Sequence, residues 1–280
     1  MSVSELNQET ICLISEEYRK SELDWTIGYS GGKDSTALLK LVYNAFKETK
    51  KHHKVVNVVY CDTGVEIPIV RKYVETTFRK LKSESLENNI PLKFNIVSPV
   101  LEDKFFVRVI GRGYPSPTNK FRWCTDLLRI KPIQRMLSES VKENIVLIGV
   151  RKGESKERDK IILKHYLENV YYFKQNNFSK AKIFSPILHY STEDIWDTVL
   201  NLEQPVGIDG KYLQTLYTIV KGDTKFQTGS LGIKEGRFGC WTCTVVRKDR
   251  AVKKLIEDGY FEFQPLLDFR NWLYKVRFSH

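Results

Sequence analysis

The sequence predicts an α/β protein built on a doubly wound parallel sheet, followed by a mainly helical C-terminal region. Three observations predict it. Short apolar runs alternate with segments of helical period through the first 150 residues. The runs "KVVNVVYCD" (54–62) and "IVLIGV" (145–150) are nearly continuous in apolar residues, as strands covered on both faces are. The run at 25–29 ends in a glycine turn, "GYSGGKDS" (28–35), from which a helix begins.

The elements follow in order. Residues 5–20 have helical spacing, with Leu6, Leu13, Ile14 and Tyr18 among the apolar positions. Acidic and polar residues interrupt this segment, so it reads as an amphipathic helix and not as a secretion signal. Residues 25–29 predict the first strand, and 34–46 a helix with Leu38, Leu39, Leu41, Val42 and Phe46 in period. The second strand is 54–62, and 69–87 is a basic helix. "LKFNIVSP" (92–99) is a strand stopped by Pro99, and a short helix is expected near 102–110. "GRGYPSPTNKFRWC" (111–124), rich in Gly and Pro, reads as a long functional loop. A helix over 125–142 leads to the strand at 145–150.

Beyond about residue 165 the pattern changes. "AKIFSPIL" (181–188) is extended. Ser191-Thr192-Glu193-Asp194 is a capping signature for a helix carrying Ile195, Trp196, Val199 and Leu200. Helices are expected near 211–220, 247–258 and 264–274, with a glycine-rich loop, 228–243, between the first two. The expected division is a core over 1–165 and a helical, loop-rich region over 166–280, without a clean linker.

Composition limits the function. The chain has 280 residues, 41% hydrophobic and 28% charged, a balance typical of soluble globular proteins. No apolar run approaches the roughly 20 residues of a membrane helix, and a cytoplasmic location without membrane partner is expected. The net charge of +11 favours polyanionic partners, nucleic acid among them. Its lysines and arginines are spread along the sequence. Basic and aromatic residues interleave in "KFRWC", "HYLENVYYFK" and "FRNWLYKVRF", a combination that suits nucleic acid; 108–123 is expected to face substrate.

Five cysteines stand at 12, 61, 124, 240 and 243. An odd count in a chain without a secretion signal argues against a disulfide framework. Cys12 and Cys61 are expected to be buried. Cys240-Trp-Thr-Cys243 has metal-ligand spacing, and Cys124 lies in another loop. The single histidines His165 and His189 are expected to be structural or surface residues.

The glycine turn holds the densest chemistry. Gly31 and Gly32 let backbone N–H groups approach an anion, and the helix that follows adds its positive end. Ser30 and Ser35 add hydroxyls, Lys33 a charge, and Asp34 a carboxylate placed to cap the helix or orient a metal. The spacing is not that of a Walker loop, which places four residues between its first glycine and Gly-Lys-Ser. Ser30-Gly31-Gly32-Lys33-Asp34-Ser35 instead resembles the PP-loop of the N-type ATP pyrophosphatases. That resemblance implies a five-stranded parallel sheet of the adenine nucleotide alpha hydrolase kind. It also implies cleavage of ATP between the α and β phosphates, with adenylation of an acceptor.

Further stretches narrow the resemblance. "YCDTGVEIP" (60–68), "RWCTDLLRIKPIQ" (122–134), "IGVRKGESKERD" (148–159) and "FSPILHYSTEDIWDTV" (184–199) resemble, in order, elements of the phosphoadenosine phosphosulfate reductase-like branch. "GRFGCWTCTVVRKDRAV" (236–252) is most similar to DNA phosphorothioation proteins of the DndC and SspD type, which work beside a cysteine desulfurase. The resemblance implies nucleotide contacts from residues 30–35, Asp62, Thr63, Gly64, Lys131, Gly149 and Arg151, with Mg2+ on the phosphates. Arg151, Arg158 and Lys131 are candidates for clamping phosphate oxygens, arginine through its planar fork. It also implies an iron–sulfur cluster, of the 4Fe-4S kind, on Cys124, Cys240 and Cys243. No cysteine follows Cys243, so three readings stand: a cluster with a non-cysteine iron site, Zn2+ with His or Asp as fourth ligand, or a metal-free redox pair.

The expected function is an ATP pyrophosphatase of DNA backbone phosphorothioation, with DNA, a cysteine desulfurase and other phosphorothioation proteins as partners. Rival readings are a phosphoadenosine phosphosulfate reductase, a sulfate adenylyltransferase subunit, a tRNA thiolase, and an ATP-binding DNA assembly subunit without turnover. Against the reductase, the tail "LYKVRFSH" lacks the cysteine that enzyme carries; Cys-x-x-Cys is left unexplained by the adenylyltransferase; 60–68 and 184–199 suit the thiolase less well.

Overall fold

A computed structural model of the chain describes residues 2–49, 52–138, 143–153, 171–174, 181–221 and 238–277. Arg158, His165, most of 148–159 beyond Gly153, and the greater part of the glycine-rich loop before Phe238 lie outside the described residues. Packing divides the chain into two interleaved compact units, where the sequence reading has one boundary after residue 165. The sheet unit takes 1–61, 73–97 and 133–210; the second unit takes 62–72, 98–132 and 211–280.

The sheet unit contains every described strand: β1 Asp24–Gly28, β2 Val56–Cys61, β3 Leu92–Val97, β4 Asn144–Leu147, β5 Tyr172–Lys174 and β6 Ala181–Phe184. Their order is β3-β2-β1-β4-β6-β5. The first five are mutually parallel, and β5 pairs antiparallel with β6 at the edge. The five parallel strands match the number the PP-loop resemblance implies, but the fifth, β6, lies beyond residue 165 in the stretch assigned to the C-terminal region, and β5 is an addition. Its three residues fall in "VYYFKQ", which is too short to register as a separate apolar run.

Central strands are buried on both faces, with Trp25, Thr26, Ile27, Val58 and Leu147 at or near zero exposure, whereas no residue of the edge strand β3 is fully buried. This is the physical reason the central runs read as continuous and β3 did not. The helices are α1 Val3–Lys20, α2 Lys33–Glu48, α3 Pro68–Glu87, α4 Trp123–Thr125, α5 Lys131–Ser138, α6 Thr192–Asn201, α7 Gly210–Lys221, α8 Arg250–Glu257 and α9 Gln264–Val276. Ser191 caps α6 reciprocally with Asp194, as the sequence predicts.

Two expectations need correction. Cys12 is exposed and not buried. The inner face of α1 is Asn7, Thr10, Ile11, Ile14, Ser15 and Tyr18, and position 12 falls outside that stripe. Its polar members are buried because they have partners: the Tyr190 hydroxyl meets Thr10 Oγ1 at 2.9 Å and Asn7 Oδ1 at 3.1 Å. Second, the continuous helix expected over 125–142 is three pieces, with a π-type segment, Asp126–Ile130, between α4 and α5. Pro132 lacks the N–H a regular ladder requires, and the widened turn just before it accommodates that loss. The short helix near 102–110 is likewise a 3-10 turn, Leu101–Asp103, and a π-type segment, Val107–Gly111.

Among the described residues no helix is long and apolar enough to cross a membrane. One buried cation stands out in the sheet unit. Lys40 on α2 is 3% exposed, and its Nζ donates to the Val199 carbonyl at 2.8 Å, near the end of α6. Burial pulls its pKa down from 10.5 to about 8, opposed by the Glu84 carboxylate. Between those values the unfolded chain holds a proton the folded one has released, so stability rises with pH there, by at most about 1.4 kcal/mol per pH unit. Urea unfolding of the native protein and Lys40→Met, from about pH 7 to about pH 10, should show the native protein gaining on the variant as pH rises. A pH-independent difference would refute the assignment.

Candidate functional site

The glycine turn sits where β1 meets α2, at the carboxyl end of a central parallel strand, the edge at which open α/β sheets bind ligands. Gly31 has φ 75°, a left-handed conformation that favours glycine. Gly32 is the N-cap of α2, and no side chain caps it. Asp34 therefore does not cap the helix. The turn is closed by serines: Ser30 N donates to Ser35 Oγ at 3.2 Å, the two hydroxyls meet at 3.0 Å, and Ser35 Oγ donates to Gly32 O at 3.0 Å. Gly32 N donates to Ser30 Oγ at 3.3 Å.

Asp34 is held between two cations. Lys33 Nζ lies 2.9 Å from Oδ2, and Arg151 Nε 2.5 Å from Oδ1. Both cations are about 5% exposed. Arg151 also donates to the Tyr190 carbonyl at 3.1 Å and to Thr192 Oγ1 at 3.2 Å. Its fork is thus taken by protein groups, so Arg151 acts here as the anchor of the turn. Two cations against one carboxylate leave a local excess of one positive charge, suited to a phosphate chain.

Gly149 makes this approach possible. A Cβ there would stand 2.8 Å from the Asp34 carbonyl carbon and 2.9 Å from both Asp34 O and Ser35 N. The segment after β4 thus packs directly against the backbone of the first turn of α2, a steric role that the motif alone does not reveal.

The second unit holds Asp62, Thr63, Gly64, Lys131 and the three grouped cysteines. Lys131 begins α5 and is exposed. Asp62 Oδ1 accepts from Gly64 N at 2.9 Å, and its Oδ2 pairs with Arg71 at 3.1 Å. Thr63 donates both its N–H and its hydroxyl to the Glu66 carboxylate, the hydroxyl at 2.5 Å. Glu66 in turn forms an isolated antiparallel bridge with Cys240, and Trp241 N donates to Val65 O at 3.0 Å. The Asp-Thr-Gly-Val-Glu stretch therefore braces the Cys-x-x-Cys turn, which closes through Cys243 N to Cys240 O at 3.0 Å.

Cys124 and Cys240 pack on one apolar cluster of Val65, Phe105, Trp123, Leu128 and Leu273. Burial pushes the Cys124 thiol pKa up, and Cys240 and Cys243 push it further, so the three sulfurs share one electrostatic neighbourhood. Burial likewise raises Cys240, against the pull of Arg129, whose Nη2 lies 3.6 Å from Sγ. Among the described residues no three His, Cys, Asp or Glu side chains form a closed metal-binding group. In donor chemistry the free thiols of Cys124 and Cys240 on the apolar cluster, with Cys243 in the turn beside Cys240, fit an iron–sulfur group. They would hold it, and it would supply sulfur or electron chemistry.

Cys61, at the end of β2, is half-buried, and His189 is exposed with its ring against Tyr171. Sequence reasoning missed Glu66, Arg129, Tyr190 and Thr192. It also missed Arg270, which is 1% exposed on α9 and donates to the carbonyls of Cys243 (3.0 Å), Arg247 (3.1 Å) and Val246. Only their place inside or beside motif stretches hinted at the first four; Arg270 lies in "FRNWLYKVRF", whose basic and aromatic residues suggested nucleic acid and not a brace for the backbone.

Sheet order and turn together define an α/β protein with a glycine-rich strand–helix turn whose amides and local positive charge suit an anion. The particular family follows from its sequence: residues 25–207 match the phosphoadenosine phosphosulfate reductase domain, and the chain belongs to that family. An uncharacterised protein of Methanocaldococcus jannaschii is 26% identical over 204 residues, 72% of this chain. The chain spans 37% of the length of that curated relative. A phosphoadenylyl-sulfate reductase of Candida auris is similar at 15% identity and TM-score 0.42, over 77% of this chain and 91% of that one. A tRNA thiolase of Methanococcus maripaludis, with a 4Fe-4S cluster, is similar at 14% and 0.44, over 98% and 79%.

Two substitutions test this geometry. Gly149→Ala should weaken ATP binding in calorimetry and destabilise the fold by about 1–3 kcal/mol, whereas Gly111→Ala, whose Cβ meets nothing within 4 Å, should do neither. Arg270→Lys should cost about 3 kcal/mol in urea unfolding, because buried carbonyls lose their donors, and should speed amide exchange near residues 243–247.

Proposed function

We propose that this protein is an ATP pyrophosphatase that adenylates a phosphate oxygen of the DNA backbone, so that sulfur can replace it. The observation that carries the reading is that Cys124 and Cys240 pack on one apolar cluster, with Cys243 in the turn beside Cys240, in a chain that also has a Ser-Gly-Gly-Lys-Asp-Ser turn. The membership in a sulfonucleotide reductase domain family supports a nucleotide- and sulfur-handling enzyme.

In this reading a non-bridging oxygen of the DNA phosphate attacks the α phosphorus of ATP in line. A new O–P bond forms, the α–β bond breaks, and pyrophosphate leaves with the electron pair. A sulfide-level sulfur, supplied by a partner desulfurase and a reductant, then attacks the DNA phosphorus, and AMP departs with the original oxygen. The turn amides and Lys33 receive the pyrophosphate charge, and Asp34 and Arg151 hold Lys33 and the turn in place. Mg2+ arrives on the ATP phosphates. Cys124, Cys240 and Cys243 would hold an iron–sulfur cluster, and that group would supply sulfur chemistry when bound.

A second reading is favoured by the family match itself: reduction of a sulfonucleotide. The two differ in product. Mg-ATP with DNA should yield AMP and pyrophosphate, whereas phosphoadenosine phosphosulfate with a thiol reductant would yield sulfite. Ser30→Ala and Asp34→Ala should lower pyrophosphate release about 100-fold. ADP and free phosphate, or sulfite without pyrophosphate, would refute the proposal. Anaerobically purified protein should contain iron and sulfide and absorb in the visible, and Cys240→Ser should lose the iron. A colourless, iron-free protein with full activity would overturn the cluster assignment.

A further inference from the structure

The net charge looked evenly spread in sequence, but packing gathers it. The sheet unit holds 23 Lys and Arg against 22 Asp and Glu, whereas the second unit holds 22 against 12. Nearly the whole excess therefore belongs to the second unit. Within it, residues 104–131 carry seven basic side chains and one acidic, Asp126. Lys104, Arg112, Lys120 and Arg122 are all exposed.

The same segment exposes large rings. Phe121 is 46% exposed and Phe106 40%, and Trp272 on α9 is 49% exposed. They are the accessible members of one connected ladder. Phe121 stacks near Tyr114 at 6.5 Å, which meets Trp123 at 5.6 Å, which stacks on Phe105 at 5.8 Å. Phe105 contacts Phe106 at 5.5 Å; Phe106 meets Phe269 at 5.8 Å, and Phe269 meets Trp272 at 5.5 Å. Arg108 lies over Tyr114 at 5.0 Å and is fixed by Asp103. Buried Phe105 holds Phe106, and half-buried Tyr114 and Phe269 hold Phe121 and Trp272, so little side-chain freedom is lost when a ligand stacks on them.

We propose that this ladder and the basic residues around it form a binding surface for an unpaired nucleic-acid strand. The inference rests on the nucleic-acid substrate proposed above and adds the state in which that substrate is held. Dispersed charges alone would suit duplex and single strand alike. Accessible ring faces distinguish the two, because a base must leave its helical stack to lie on them. Trp123 and Phe105 belong to the cluster on which Cys124 and Cys240 pack, so a strand held here lies on the thiol-bearing unit.

Fluorescence anisotropy with a labelled single-stranded oligonucleotide and its duplex, at one fixed salt concentration, tests this. The full-length protein should bind the single strand at least about tenfold more tightly. Phe121→Ala and Trp272→Ala should each weaken single-strand binding about tenfold and leave duplex binding unchanged. Trp272→Phe should retain binding but lose part of the tryptophan quenching that the strand causes. Melting temperatures of these surface variants should match the native protein. DNA and RNA strands are compared in parallel, and the tighter one identifies the source. Equal or tighter duplex binding, or variants that bind like the native protein, would overturn the surface while leaving the nucleic-acid reading standing. Failure to bind either form would overturn both. A change in oligomeric mass in the ring variants, without loss of strand binding, would mark the ladder as a self-interface and also overturn it.

Discussion

The contact between Arg151 and Asp34 is the constraint from which the sheet unit's site is built. Arg151 follows β4, Asp34 opens α2, and the guanidinium also holds the Tyr190 carbonyl and the Thr192 hydroxyl. Tyr190 passes the link on, through its own hydroxyl, to Asn7 and Thr10 of α1. Four segments distant in sequence are thereby fixed around one turn. A buried ion pair of this kind adds little net stability over an apolar replacement, but removing one partner leaves the other charge stranded. Its contribution is geometric: it sets where Lys33 and the turn amides point.

The fold was legible where local chemistry and tertiary burial agree. The central strands are apolar because both faces are covered, so composition alone located them. The Ser191 cap was visible because its partner is three residues away. The glycine turn was legible for the same reason, since Ser30, Gly32 and Ser35 satisfy one another locally. What escaped depends on distant partners. Position 12 reads as an apolar helix site until the buried stripe of α1 is known. Glu66 and Thr63 sit inside a stretch that suggested nucleotide contact, whereas their hydrogen bonds and bridge brace Cys240. Arg270 reads as an ordinary helical arginine, and only the carbonyls of 243–247 converging on it show otherwise.

The cysteine region shows how a thiol group is prepared without local sequence order. Cys124 is more than a hundred residues from Cys240, so neither spacing nor period relates them. The apolar cluster does, by giving both the same wall. That wall has opposing consequences. It discourages thiolate formation, as the raised pKa values of Cys124 and Cys240 record, and the Arg129 guanidinium partly offsets this at Cys240. A cation bound by the three sulfurs would offset it far more, since thiolate is the form that ligates. An apolar wall behind Cys124 and Cys240 therefore suits a group that brings its own positive charge.

The uneven division of charge bears on what each unit can recognise. The sheet unit is almost neutral, yet its turn concentrates a positive excess at one point through Lys33, Arg151 and a helix N-terminus. A small, highly charged ligand such as a nucleotide phosphate chain needs only that local arrangement, because its charge is confined to a few ångströms. A polymer presents one charge per residue along its length, and it is retained by many dispersed cations that release counterions together. The second unit, with its excess of ten basic over acidic residues and its accessible rings, has the dispersed kind. A net charge near zero across the whole chain could have concealed both arrangements. The physical distinction lies in how charge is grouped by packing, and on that ground the two units favour anions of different extent.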